Sequence, residues 1–249
     1  MSLESMKRRL AHAGGDNPQD RMINNKLRSM LAATRYSYQA AKFQIWAEQE
    51  CPDFIGLFNP VALNENFDTK MISTAFENNV RVGTYFHWKN TDTYWICFTQ
   101  DKTELAYFRG ECRQCNFKIQ WVDGDKRLME TLVSIIRPSA TEIRRSSSMQ
   151  AKITEDFPNA NLKMLVQDNP INRAFFTRYQ KFLIQNTAYV IEQVDRMSMP
   201  GVIQLQAIEH YANLIEDDIE QNITNAWNVQ PIIPEHPTEF AIDGPSAVK

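Results

Sequence analysis

The chain has 249 residues, 43% hydrophobic and 23% charged, with a net charge of −3, which is ordinary for a globular protein and leaves room for one large or two small cores. No apolar run approaches the roughly 20 residues that a membrane-crossing helix needs, and the opening MSLESMKRRL has basic residues with no apolar stretch behind them, so neither an integral membrane protein nor a secretory leader is expected. Four cysteines at irregular separations make no disulfide framework and are expected to be reduced.

Residues 1–39 read as an arm and a helix. Gly14-Gly15 makes the first piece flexible, and Asn17-Pro18 followed by Asp20 has the cap, proline and acid of a helix start. Ile23, Leu27, Met30, Leu31 and Thr34 then share one face, which predicts an amphipathic helix over 18–34. Charge is uneven: Lys7, Arg8, Arg9, Arg21, Lys26, Arg28 and Arg35 outweigh three acids in the first 35 residues, whereas 209–220 is strongly acidic. Such blocks pair with each other or with partners, or are solvated faces.

A first β domain is expected over 40–140. Phe43 and Ile45 alternate against Gln44 and Trp46 in an opening strand that Cys51-Pro52 ends. Residues 59–66, from Asn59-Pro60 onward, read as a loop, and Lys70-Met71-Ile72 as a short strand. Residues 80–122 carry the strongest pattern, a β-meander. Its first segment alternates Val80, Val82, Phe86 and Trp88 against Arg81, Tyr85 and His87. A second, Tyr94-Trp95-Ile96-Cys97-Phe98, is apolar on both faces. The third runs from Leu105 to Trp121 with Gly110 as a bulge. Asp123-Gly124 turns the chain into a further strand over 128–136.

Residues 141–160, with Arg144-Arg145-Ser146, read as a linker, and 161–212 as a second β domain. In it Leu162, Met164 and Val166 form a strand, Asp168-Asn169-Pro170 a turn, 181–185 and 188–194 a hairpin, and Pro200-Gly201 a type II turn into a last strand. Asn213 with Glu216 resembles a capping box, and Ile215, Ile219 and Ile223 lie four apart, which predicts a short acidic helix over 213–225. Prolines 231, 234, 237 and 245 leave 226–249 as an extended tail. The fold class expected is therefore mainly β, two small antiparallel barrels or sandwiches with an N-terminal helix, a short acidic helix and extended termini.

Catalytic and metal chemistry find little material. Cys112-x-x-Cys115 has the spacing of a zinc knuckle, but strand parity puts the two thiols on opposite faces. The four histidines sit in unrelated contexts, and no nucleophile elbow, phosphate loop or dinucleotide fingerprint is present. Asp217-Asp218 is explained by a helix dipole before a cation site. Tyr85, Trp88, Tyr94, Trp95 and Trp121 offer a stacking platform for single-stranded nucleic acid only if they are exposed, and acids offset the nearby lysines. No enzyme activity, cofactor or metal is expected.

Arg81-Val82-Gly83-Thr84-Tyr85-Phe86, Tyr94-Trp95-Ile96 and the run from Arg113 to Trp121, with Pro200-Gly201-Val202 and Asp217-Asp218-Ile219-Glu220, resemble segments of tailed-bacteriophage virion proteins. The likeness covers 70–223, about two thirds of the chain. It implies a head-to-tail connector, that is, a head-closure, adaptor or neck protein of the virion, made in the host cytoplasm. Its partners would be further copies in a ring matching the portal's twelve-fold symmetry, the portal, other neck or tail proteins, and viral DNA contacted without sequence preference. Lys7, Arg8 and Arg9 would touch portal or DNA, and Glu216, Asp217 and Asp218 would face the lumen or a neighbouring copy. The alternatives are another tail or tail-completion protein and, in a different class, a nucleic-acid-binding β-barrel; a small hydrolase or metalloenzyme has no motif behind it.

Overall fold

A computed structural model describes residues 17–46, 52–61, 68–136, 162–212 and 217–225, together with Glu4. The expected arm with Lys7, Arg8 and Arg9, the linker at 141–160 and the tail at 226–249 lie outside the described residues. The chain is mainly β, as expected, and its strands form one closed barrel and a second, seven-stranded sheet. No described helix is long and apolar enough to cross a membrane.

Helix α1 (Pro18–Tyr36) begins as its sequence dictates. Asn17 Oδ1 accepts the Asp20 N–H at 2.8 Å, and proline fills the first turn, where no amide donor is missed. Its apolar face lies on the barrel, with Met30 buried.

The barrel comprises β1 (Ala40–Ile45), β2 (Asp53–Pro60), β3 (Thr69–Thr74), β4 (Tyr85–Trp88), β5 (Thr93–Cys97) and β6 (Phe108–Cys115), in the spatial order β1-β2-β3-β6-β5-β4. Pairing of β1 with β4, Phe43 opposite Trp88, closes it and removes the free edges. Phe43, Phe54, Phe58, Phe86, Trp95 and Phe108 fill the interior. Phe43 stands edge-on to Phe58 and to Phe86 at 5.2 Å each, the arrangement favoured by the ring quadrupoles.

Strand β2 is a correction, because the sequence gives residues 53–58 no strand and makes a loop of Asn59-Pro60. Its inward positions are Phe54, Gly56 and Phe58, while Ile55 and Leu57 point outward. Apolar residues on both faces with a glycine inside hide the period of two. The meander is corrected as well. Residues 80–84 are no strand but a turn, in which Arg81 N–H donates to Thr84 Oγ1 at 3.1 Å and Thr84 N–H to the Arg81 carbonyl at 3.0 Å. Gly110 is no bulge: the register Ile72 to Gly110 is unbroken, and a Cβ there would meet the Thr99 carbonyl at 2.5 Å.

The third meander segment is two strands, β6 and β7 (Phe117–Val122), separated by Asn116. That residue performs the change of sheet. Its side chain mimics a backbone amide, accepting the Ile135 N–H at 2.7 Å and donating to the Ile135 carbonyl at 3.0 Å. Strands β7 and β8 (Leu128–Ile136) accordingly belong to the second sheet, so the sheets divide at Asn116, earlier than the expected boundary at 140.

The second sheet continues with β9 (Leu162–Gln167), helix α2 (Pro170–Phe175), β10 (Lys181–Ile184), β11 (Thr187–Asp195), β12 (Val202–His210) and β13 (Ile223–Thr224), in the order β10-β11-β12-β9-β8-β7-β13. Helix α2 stands where a turn was expected. Asn169 caps it by accepting the Asn172 N–H at 2.7 Å, and it sets Phe175 flat on Trp121 with ring centroids 4.1 Å apart. The hairpin β10–β11 is as read, with Gln185 and Asn186 at φ 48 and 64 in a two-residue turn.

The expected acidic helix is overturned over its described part. Residues 217–222 turn back on themselves, with Asp218 and Ile223 exchanging both backbone hydrogen bonds at 2.9 Å and Asn222 at φ 58. Local Asx and left-handed turn chemistry outweighs the four-residue isoleucine spacing. Strand β13 then runs parallel to β7, and the Leu183 N–H on β10 donates to Thr224 Oγ1 at 3.1 Å, which nearly closes the second sheet.

Candidate functional site

The two units meet through a compact junction. Tyr85 opens β4 inside a small cluster with Ile96, Leu132, Leu165 and Val202. Its hydroxyl donates to the Leu132 carbonyl and accepts the Gln167 N–H at 2.9 Å, so one barrel side chain satisfies two backbone groups of the other sheet. Burial pushes the Tyr85 phenol well above its usual range. Beside it Gly83, at φ 89, lies against Gly201, at φ 97, and a Cβ on Gly201 would meet the Val82 carbonyl at 2.5 Å. Only glycine allows both the left-handed backbone and the approach. The type II turn at Pro200-Gly201 is thus as read, with Val202 N–H donating to Met199 O at 3.0 Å, and it also serves as a contact surface.

Above this junction opens a cleft of about 1050 Å³. The barrel contributes Ile45, Trp46 and the turn 79–85, and the second sheet contributes the start of β8, the end of β9 and the cap of α2. Trp46 stands edge-on to Tyr85 at 5.7 Å. Leu128 and Ile171, 55% and 38% exposed, give the opposite wall apolar surface.

The charges of the cleft are unequal in their availability. Asp168 is held by Arg173 in a two-pronged pair at 2.5 and 2.7 Å, and that hydrogen bond keeps its carboxyl below the usual range despite burial. Glu130 is paired with Lys118 at 3.1 Å and Gln120 at 3.3 Å. Arg81 is exposed and makes no ion pair among the described residues. Asn172 is committed to structure, its Nδ2 donating to the Gln167 carbonyl at 2.8 Å and to Thr131 Oγ1 at 3.2 Å. The cleft therefore offers an unpaired guanidinium beside an apolar and aromatic wall.

Of the residues singled out from sequence as contacts or as a stacking platform, Tyr85 lines this cleft, and the others do not. Lys7, Arg8, Arg9 and Glu216 fall outside the described residues. Asp217 is buried, its side chain 1% exposed; it accepts the Asn225 N–H at 3.1 Å and lies 3.8 Å from Lys181 Nζ. Asp218 accepts the Gln221 N–H at 3.0 Å and holds the turn. Both fasten β13 into place. Cys112 points into the barrel opposite Cys97, whereas Cys115 packs in the cluster at the junction, so the two thiols do not converge. Burial pushes both thiols up. Among the described residues no group of three or more His, Cys, Asp or Glu is placed to hold a metal. Tyr85, Trp95 and Trp121 are core, and His87 is spent on Asp92, 2.7 Å away, and a stack with Tyr94. Arg81 and Trp46 were readable only as outward positions of expected strands, because the cleft arises where residues 46, 81 and 167 meet.

No family model matches the chain, and no curated protein does. Among solved structures, one described as MrkH, a c-di-GMP-dependent transcription regulatory factor, has a TM-score of 0.22 and 10% identity, over 78% of this chain and 84% of that one. The K. pneumonia MrkH complex with c-di-GMP has a TM-score of 0.21 and 9% identity, over 78% and 86%, and its apo form 0.22 and 9%, over 81% and 88%. At these scores the likeness carries no argument about fold or ligand.

Proposed function

We propose that the chain is a non-catalytic binding protein whose cleft between the barrel and the second sheet holds a small anionic ligand with an apolar or planar body. The carrying observation is the pairing of the cleft's charges. Asp168 and Glu130 have their partners, and Arg81 has none among the described residues. Concave, largely apolar sites with a few fixed polar groups at a domain junction are where small molecules bind, and a guanidinium suits a carboxylate or phosphate. The test is a thermal-shift panel of aryl carboxylates, aryl phosphates and nucleotides, with inorganic phosphate as the control that lacks an apolar body. Compounds with both halves are expected to raise the melting temperature, and Arg81→Ala to weaken the response about tenfold or more, the range of one charge-assisted bond. A panel without a hit, or a hit indifferent to Arg81→Ala, contradicts the proposal.

The second reading is the virion connector. A junction that makes one body of a barrel and a second sheet suits a building block for closed rings. Sedimentation of the chain alone and with a portal ring tests it: a ring or a portal complex supports the reading, and a strict monomer that leaves the portal unbound contradicts it.

A further inference from the structure

We propose that helix α1 is an exchange element, closing on its own barrel in the monomer and on the barrel of a second copy in a dimer. Three observations on the outer face of β2, β3 and β6 carry this. The helix covers that face lightly: Met30 is its one fully buried residue, and a groove of about 670 Å³ remains between it and the strands. Docking there is imperfect, because Asn59 Oδ1, in a residue lining the groove, is shut off from solvent and accepts no hydrogen bond among the described residues. Lifting the helix returns water to that amide and offsets part of the apolar surface lost. An ion pair fastens the helix, Lys26 Nζ to Glu104 Oε2 at 2.7 Å, in which the carboxylate is 5% exposed and also accepts the Ala106 N–H at 3.2 Å.

The hinge is short, a turn in which the Ala40 N–H donates to the Ser37 carbonyl at 3.1 Å and the Gln39 N–H to Ser37 Oγ at 3.1 Å. Ser37, the C-cap, has φ −80 and ψ 140, and Gln39 is anchored to the barrel by its carbonyl, which accepts the Phe58 N–H at 2.9 Å. Opening therefore rotates the chain at Ser37 and Tyr38 and breaks the two turn hydrogen bonds of Ser37. Tyr36 and Tyr38, 87% and 93% exposed, flank the hinge and are the side chains that two exchanging copies bring together. A released helix carries Met30 and the half-buried Ile23 and Leu27, and the surface shaped for them is the groove of another copy. Exchange reuses the same contacts, which makes it a low-cost route to a dimer.

The experiment mixes two charge-reversed chains, Lys26→Glu and Glu104→Lys. Each alone sets like charges against each other in both the closed and the exchanged form. Only the mixed, exchanged dimer restores opposite charges at both docking sites. Native mass spectrometry is expected to show the mixed dimer in excess of either homodimer by about tenfold. Mixing in statistical proportion, or monomers only, overturns the proposal. Because Glu104 is buried and its lysine variant risks misfolding, two differently tagged wild-type preparations are also mixed at high concentration and followed over time. Mixed wild-type dimers that Met30→Asp abolishes support exchange; wild-type chain that stays monomeric, or dimers indifferent to Met30→Asp, overturn it.

Discussion

The Tyr85 hydroxyl ties the barrel to the second sheet at one atom, accepting the Gln167 N–H and donating to the Leu132 carbonyl. Tyr85→Phe removes both bonds and is expected to destabilise the chain by about 1–3 kcal/mol, read as a lower urea midpoint at unchanged slope. A few residues away Asp168 and Arg173 make the cleft's strongest ion pair. The folded state holds Asp168 charged, so its contribution is present above the ordinary carboxylate pKa of 3.8 and is lost as pH falls below it. Asp168→Asn is expected to flatten the acid limb of the stability profile. The effect is small, about 1 kcal/mol or less, because Arg173 is half exposed.

Among the elements, Asn116 decides which strands belong to which sheet. Asn116→Ala is expected to cost about 1–2 kcal/mol through its two side-chain bonds, and Asn116→Asp more at neutral pH, since a carboxylate oxygen then faces the Ile135 carbonyl where the amide donated. Urea denaturation of the pair checks the order. Strands with clean alternation or strong turns were legible in the sequence: β1, β3, β4, β5, β7, β8, β9, β12 and the β10–β11 hairpin, together with the cap of α1. What stayed hidden was decided by tertiary partners. β2 carries Ile55 and Leu57 outward and a glycine inward, and Asn116 is an ordinary polar residue until Ile135 lies opposite. Residues 217–225 show the reverse error, an isoleucine spacing that suggested a helix where Asp218, Asn222 and a free strand edge made a turn and a strand. The cleft was illegible for the same reason, since Trp46, Arg81 and Gln167 are distant in sequence.

For the whole molecule, the shared cluster around Tyr85 and the contact of Gly83 with Gly201 make two β units into one body. A single cooperative unfolding transition is expected by calorimetry. Gly201→Ala, which forces a left-handed alanine against the Val82 carbonyl, is expected to lower stability by about 2–4 kcal/mol and to separate the transition in two. Junction residues Gly83, Tyr85 and Gly201 also line the cleft, with Arg81 from the barrel side and Ile171 from the second sheet's side. The central claim is that Arg81 receives the anionic half of a ligand while Trp46 contacts its apolar half. Isothermal titration of the compound with the largest thermal shift into wild-type chain, Arg81→Ala and Trp46→Ala measures it directly. The account predicts one site per chain, weakened about tenfold or more by either substitution; equal affinity in all three proteins would contradict it.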